Sequence, residues 1–340
     1  MNKEVYLILR KASIFGCTEE LMSAAIEESG LDYRTLRALV RIINNETGIT
    51  KEDIEKLMDP DFYTMDNMVR MYSQGLKEII PTHYFENEEF LEKANVEELP
   101  DRFIENDRWI RSFTIDRRIK RIGARAFAGC INLEDISFST WGLEEIGEYA
   151  FEDDENFKTG YLPESIKKIG AGAYKGCSGL DAFCIPGNIC RIESYTFEDC
   201  TSLCEVVTQE KIDIGKHAFR NCRRLERISG VIGEIEEEGL CGCSSLKEIE
   251  LETSVIGERA LAGCTSLETL HFRKIPALFE RDCLLGATGL QEVRVDGISC
   301  EFRETRGYGE LTRNIRPKKE DGNKKFFLFT SSVHETLTSL

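Results

Sequence analysis

From Ile110 onward the chain repeats itself about every 23 residues, and a period of that size restricts it to architectures built by stacking. The first copies read Ile122-Gly123-x-x-Ala126-Phe127-x-Gly129-Cys130-x-x-Leu133, Ile146-Gly147-x-x-Ala150-Phe151 and Ile169-Gly170-x-x-Ala173-Tyr174-x-Gly176-Cys177-x-x-Leu180. The pattern continues through Ile192/Phe197/Cys200/Leu203, Ile214/Phe219/Cys222/Leu225, Ile235/Leu240/Cys243/Leu246 and Ile256/Leu261/Cys264/Leu267. An eighth copy has Phe279, Leu284, Gly286, Ala287 and Leu290, with alanine at the cysteine station. One such unit cannot bury its apolar face alone, so the copies must stack into a solenoid.

The string Ile-Gly-x-x-Ala-Phe-x-Gly-Cys-x-x-Leu, followed by a segment such as Phe183-Cys184-Ile185-Pro186, resembles the BspA-type leucine-rich repeats. The resemblance covers roughly residues 110–295 and implies a solenoid that binds other macromolecules and is not an enzyme. The chain departs from the pattern in its second copy, where Asp153-Asp154 replaces Gly-Cys, and a more solvated convex turn is expected there. Many members of this family are secreted surface proteins. Here Met1–Lys11 carries only a five-residue apolar stretch ended by two bases, a poor secretion signal, so a cytoplasmic location is expected.

The expected fold is α/β: a leucine-rich repeat solenoid with a parallel β-sheet on one face, preceded by an all-α N-terminal domain. The domains are expected at 1–108 (helical), 109–297 (about eight repeats) and 298–340 (C-terminal cap or tail). In the first of these, Thr18 is placed to cap a helix carrying Leu21, Met22, Ala25 and Ile26 up to Gly30. A second helix would carry Leu36, Leu39, Val40 and Ile43 toward a stop near Gly48. A third would begin at Thr50 and break at Asp59-Pro60, and a fourth would hold Met65, Met68, Met71 and Tyr72. A methionine stripe of this kind is either core or an adaptable binding groove. From Glu86 to Asp107 nine acidic residues face only Lys93 and Arg102, a run expected to be a solvated helix face or linker, or an acidic patch for a basic partner. Pro100, Phe103, Ile104, Trp109 and Ile110 are expected to cap the open end of the solenoid.

The thirteen cysteines are an odd number, and six of them (Cys130, Cys177, Cys200, Cys222, Cys243 and Cys264) recur at one repeat station, as a ladder of small buried side chains would. Neither Cys241-x-Cys243 nor Cys200-x-x-x-Cys204 has a second pair at zinc-binding spacing, so no metal and no cofactor are expected. No nucleophile elbow, phosphate loop or His-Glu-x-x-His motif occurs, and the four histidines are scattered; no catalytic residue is assigned. No 18-residue apolar run is present, so no helix spans a membrane. A net charge of −17 argues against direct nucleic-acid binding and against anionic membrane surfaces, and favours a protein partner with a basic surface.

Alternation in Leu133-x-x-Ile136-x-Phe138 and Leu246-x-x-Ile249-x-Leu251 marks strands with two outward columns. From these columns Asp135, Tyr161, Glu205, Arg227, Glu248, Glu250, His271, Glu292 and Arg294 are the candidate partner-binding residues, with the glutamates acting as one acidic field. The expected function is a non-enzymatic protein-binding scaffold. An acidic inhibitor that mimics nucleic acid and a surface adhesin are the alternatives.

Overall fold

The computed structural model describes residues 3–15, 17–43, 62–139, 142–253, 255–273, 278–295, 298–307 and 310–317. Five helices come first among them: α1 (Lys3–Phe15), α2 (Glu19–Ser29), α3 (Tyr33–Ile43), α4 (Met65–Ser73) and α5 (Glu88–Lys93). Thr18 caps α2 as its spacing predicts, its hydroxyl accepting from the Leu21 amide, and Gly30 closes the helix in the left-handed region at φ 69°. The Val5–Leu9 run, which the sequence reading weighs only as a leader, supplies the core stripe of α1: Val5, Leu9 and Ala12 are buried. Met68 and Met71 are buried too, so the methionine stripe is core. The expected helix stop at Gly48 and the helix from Thr50 lie outside the described residues.

The repeats form a parallel solenoid of about eight turns with two strand ladders. One ladder consists of short strands at the Ile-Gly step, from Glu98–Leu99, Arg121–Ile122, Glu145–Ile146 and Lys168–Ile169 through Arg191–Ile192 to Leu278–Phe279. The other consists of the strands the alternation predicts, from Ser112–Ile115 to Glu292–Val295. This second ladder is not the continuous sheet expected. It splits into a two-stranded, a three-stranded and a longer sheet: Glu248–Leu251 pairs with Val231–Ile232 and not with Arg227–Ser229, and Lys158–Tyr161 forms no strand. There the Thr159 hydroxyl, not a backbone carbonyl, accepts from the Ile136 amide at 2.9 Å. Glu292–Val295 then pairs antiparallel with Ile298–Gly307, which turns back along Glu310–Pro317.

Two stations in each tight turn take positive φ. The first is the third residue after the Ile-Gly isoleucine, as in Arg125, Tyr149 and His217. The second is the residue before the cysteine. The second explains a sequence variation that hydropathy leaves unread: Gly129, Gly176, Gly242, Gly263 and Gly286 alternate there with Asn106, Asp153, Asp199 and Asn221, the residue types that enter the left-handed region at least cost. At the Ile-Gly step a side chain is excluded for another reason, since a Cβ on Gly147 would stand 2.6 Å from the Ala124 nitrogen of the preceding turn.

Inside, the aromatic station stacks Phe127, Phe151, Tyr174, Phe197 and Phe219 with ring centroids 5.2, 5.3, 5.5 and 5.2 Å apart, each contact contributing about 0.5–1.5 kcal/mol beyond burial. Beside it runs the cysteine ladder. Each thiol donates to the carbonyl of the preceding turn's aromatic or aliphatic residue, as Cys177 to Phe151 at 3.0 Å, Cys222 to Phe197 at 3.0 Å and Cys264 to Leu240 at 3.3 Å. The cysteine is therefore more than a small apolar filler, because it adds a second hydrogen bond to a buried carbonyl that already accepts from an amide of its own turn, as Phe197 does from Cys200 at 3.2 Å.

Three expectations change. Asp154, placed in a solvated turn by its charge, is completely buried and holds the cysteine station of the second turn, because the turn closes through Asp153 in the left-handed region at φ 60°. The parallel ladder begins at Glu98–Leu99, which pairs with Arg121–Ile122 before the expected start at residue 109. Asp107 stands at the cysteine station of that additional first turn, accepting from the Trp109 and Ile110 amides. Finally, the acidic run Glu86–Asp107 is in part the solvated helix face expected, with Glu88, Glu89 and Glu92 exposed on α5, but it is neither a linker nor an unpaired patch. Glu88 and Glu92 pair with Arg117 and Arg118, Glu89 with Lys93, Glu97 with Lys120, Glu98 with Lys77 and Arg121, Asp101 with Arg121, and Glu105 with Arg37 and Arg125. Glu86 accepts from the Thr114 amide at 2.9 Å.

The pairs of Glu88, Glu92, Lys77 and Arg37 join the helical region to the start of the solenoid, and an apolar contact beneath them does the same. Phe103 packs on Phe85 and Phe113, with centroids 4.8 and 5.5 Å away. The buried Arg34 guanidinium sits 4.8 and 4.7 Å from the Phe85 and Phe103 rings and donates to the Lys77 and Ile80 carbonyls.

Candidate protein-binding face

Each strand of the second ladder turns alternate side chains inward. Ala182–Ile185 buries Phe183 and Ile185 and leaves Ala182 and Cys184 exposed; Thr269–Phe272 buries Leu270 and Phe272. The columns follow the expected register within each sheet. Ala182 pairs with Glu205 and Glu205 with Arg227, Glu248 with Thr269 and Thr269 with Glu292, and Glu250 with His271 and His271 with Arg294. The sheet breaks divide the nine candidates into groups. Glu205 and Arg227 share the middle sheet; Glu248, Glu250, His271, Glu292 and Arg294 share the later one. Asp135 lies in the two-stranded sheet, and Tyr161 lies in the strandless segment Lys158–Tyr161 itself.

The expected single acidic field is broken up by counter-charges. Arg227 reaches one carboxylate oxygen of Glu205 with Nη2 at 2.5 Å and Nε at 3.1 Å. Glu250 takes Arg273 Nε at 2.6 Å and has His271 Nδ1 at 3.8 Å. Glu292 takes Arg294 at 2.8 Å, and Glu226, beside this face, takes Lys247 at 2.7 Å. Asp135 is tied to Ser137 and Thr159 at 2.8 and 2.7 Å. Glu248 is exposed and has no ion pair within 4.0 Å among the described residues. Pairs this exposed contribute little to stability, but they do cancel charge locally. Arg273 and Lys247 are the residues that reading the columns alone misses. Both lie outside the columns, Arg273 just past its strand and Lys247 just before one, and only the opposite charge in the neighbouring turn signals them.

What the charges leave open is an uncharged stretch of the second column. Tyr161 is 55% exposed, with its ring edge-on to Phe138 at 6.1 Å; Cys184 is exposed, and Val207 is 38% exposed. Cys184 and Val207 are paired neighbours in adjacent strands. Tyr161 precedes them by one turn, and Ser229 follows Val207. Toward the later sheet, Glu205, Arg227 and Glu248 line a shallow depression of about 530 Å3.

A stacked-turn parallel solenoid with an outward strand face is the architecture of a repeat protein. The chain belongs to the BspA-type leucine-rich repeat family, whose model matches in six copies across residues 97–226 and 181–291. It is similar to a leucine-rich repeat protein of T. pallidum (23% identity, 38% of this chain and 72% of that chain, TM-score 0.33). It is also similar to a leucine-rich cell surface protein of Faecalibacterium prausnitzii A2-165 (16% identity, 59% and 83%, TM-score 0.34). A third similar structure is the pneumococcal vaccine antigen PcpA (20% identity, 60% and 61%, TM-score 0.35). No curated protein matches the chain.

Proposed function

We propose that this protein is a non-enzymatic scaffold that binds another protein through the strand face of its middle turns. The observation that carries the reading is the uncharged column Tyr161–Cys184–Val207, which holds two of the five large apolar side chains exposed among the described residues. An exposed tyrosine beside an aliphatic residue, rimmed by charge, is the composition that anchors protein interfaces. The flanking charges then set register more than affinity, since Glu205, Glu250 and Glu292 already have cationic partners in the free chain. We place the protein in a reducing compartment, a reading supported by the hydrogen-bonded thiol ladder, which a disulfide would dismantle.

The test is photo-crosslinking in the native cell. A photoreactive phenylalanine analogue at Tyr161 is expected to trap one protein adduct that the same analogue at Glu155, an exposed position in a tight turn, does not trap, and Val207→Arg is expected to abolish it. Equal adducts from both positions would remove the strand face from the reading.

A further inference from the structure

We propose that the cavity between α3 and the first turn is a binding site for a small oxyanion-bearing ligand, a phosphate ester or a polycarboxylate. The cavity measures about 430 Å3. Arg34, Arg37 and Arg41 reach it from α3 at spacings of three and four residues, which put them along one helix face, and Arg102 reaches it from the first turn. Asp101 is the one carboxylate among its described lining residues. Its Oδ1 is already occupied by Arg121 at 3.0 Å and by the Ala124 amide at 2.8 Å.

The cations are positioned before any ligand arrives. Arg34 is held between the Phe85 and Phe103 rings and bonded to the Lys77 and Ile80 carbonyls, acceptors that carry no net charge. Arg37 is fixed by Glu105, with Nη1 on its carbonyl at 2.7 Å and Nη2 on its carboxylate at 3.2 Å. Glu105 is itself shared with Arg125 and, at 3.9 Å, with Arg102, so one carboxylate serves three guanidiniums. Arg34 and Arg41 have partners of their own as well. What the cavity offers is four guanidiniums against one lining carboxylate, two of them sharing Glu105 behind the wall, with planar donor forks whose geometry matches phosphate and carboxylate oxygens. In a chain of net charge −17 this concentration of cations runs against the average surface, and the surrounding acidity would repel anions that lack a pocket to reach. Tyr33, its ring tilted at 31° to that of Trp109 with centroids 5.1 Å apart, and Phe103 give the cavity aromatic lining for the ligand's body.

The test uses the full chain with inorganic pyrophosphate and with citrate, each against sodium chloride at matched ionic strength, followed by calorimetry and thermal melting. Saturable one-site binding by either probe is expected. Pyrophosphate alone points to a phosphate ester and citrate alone to a polycarboxylate. The double variant Arg41→Gln/Arg102→Gln, with its fold checked by circular dichroism, is expected to bind at least tenfold more weakly. If that variant loses its fold, the single change Arg102→Glu at an exposed position replaces it, with the same expectation. The proposal is overturned if neither probe binds beyond the chloride control, or if the folded variant binds unchanged.

Discussion

Asp154 Oδ1 accepts a hydrogen bond from the Cys130 amide at 2.7 Å, at a station where the next turn places the thiol of Cys177. A carboxyl thus replaces a thiol inside a ladder of thiols, completely out of solvent, and its second oxygen, Oδ2, has no hydrogen-bond partner. Burial pushes the Asp154 carboxyl well above its ordinary range, with the neighbouring Asp153 adding to the rise. Protonation turns Oδ2 into a donor, the role the thiol plays elsewhere.

Asp154→Cys is therefore expected to stabilise the fold, by about 1–3 kcal/mol at pH 8, where the buried carboxylate is most costly. The sign follows from the direction of the shift. A carboxyl whose folded pKa is raised favours the fold below its unfolded value, near pH 4, and loses that contribution as pH climbs through the folded value. The gap between variant and parent should be largest at pH 8 and shrink toward pH 4.5 in paired thermal melts. A constant gap would mean that packing, not charge, separates the two. Asp107, at the same station two turns earlier, is pushed up to about 6 by burial and should add a smaller loss between about pH 4 and 6.

The ladder thiols should be unreactive in the folded chain. Burial raises Cys177, Cys222 and Cys243 well above the ordinary thiol range, and Cys264 to about 12, so little thiolate forms near neutral pH. Alkylation of native protein, read by intact mass, is expected to modify Cys184 and Cys190 first. Unfolding without reductant should then expose nearly all thirteen thiols. Cys222→Ala removes both volume and the bond to Phe197, and about 1–2 kcal/mol of stability should go with them in urea titrations.

Glu105 should matter far more than its neighbours in the acidic run. Its side chain is 7% exposed and pairs with Arg37 at 3.2 Å and Arg125 at 2.7 Å, whereas Glu88 is 63% exposed. Burial alone would raise the Glu105 carboxyl, but hydrogen bonds from Arg125 and Arg37 outweigh it and hold the group below its ordinary value. That contribution is present above the unfolded pKa and lost as pH falls through the folded one. Glu105→Gln is expected to cost about 2–4 kcal/mol because it strands cations at the joint between helices and first turn, while Glu88→Gln should stay within about 0.5 kcal/mol. Denaturant titration of both variants checks the contrast.

The repeat period made the solenoid legible because each apolar station recurs at a fixed spacing, and stacking is the one way to bury such stations. The additional first turn escaped the same reading because its station residues, Asn106 and Asp107, keep the geometry of Gly-Cys and not its hydropathy. Asp153-Asp154 misled in the same way: charge implied solvent, while the left-handed conformation of Asp153 kept the turn closed and drew Asp154 inside. On the strand face the columns were visible from alternation, but their neutralisation was not. Glu250 meets Arg273 across turns, a pairing 23 residues apart that becomes local only after stacking.

The apolar column and the charged rows can be separated in the partner complex. Glu205 and Arg227 face each other in adjacent strands, so Glu205→Arg alone sets two cations side by side and should cost about 0.5–1 kcal/mol of stability. Exchanging both, as Glu205→Arg with Arg227→Glu, restores the pair with the same net charge but inverted polarity. If Tyr161, Cys184 and Val207 carry the contact, crosslinking from position 161 should fall less than threefold in the exchanged protein and more than tenfold in Val207→Asp, whose exposed side chain does not support the core. The reverse ranking would transfer the interface to the charged rows, and an acidic or basic pattern on the partner would then dominate its recognition.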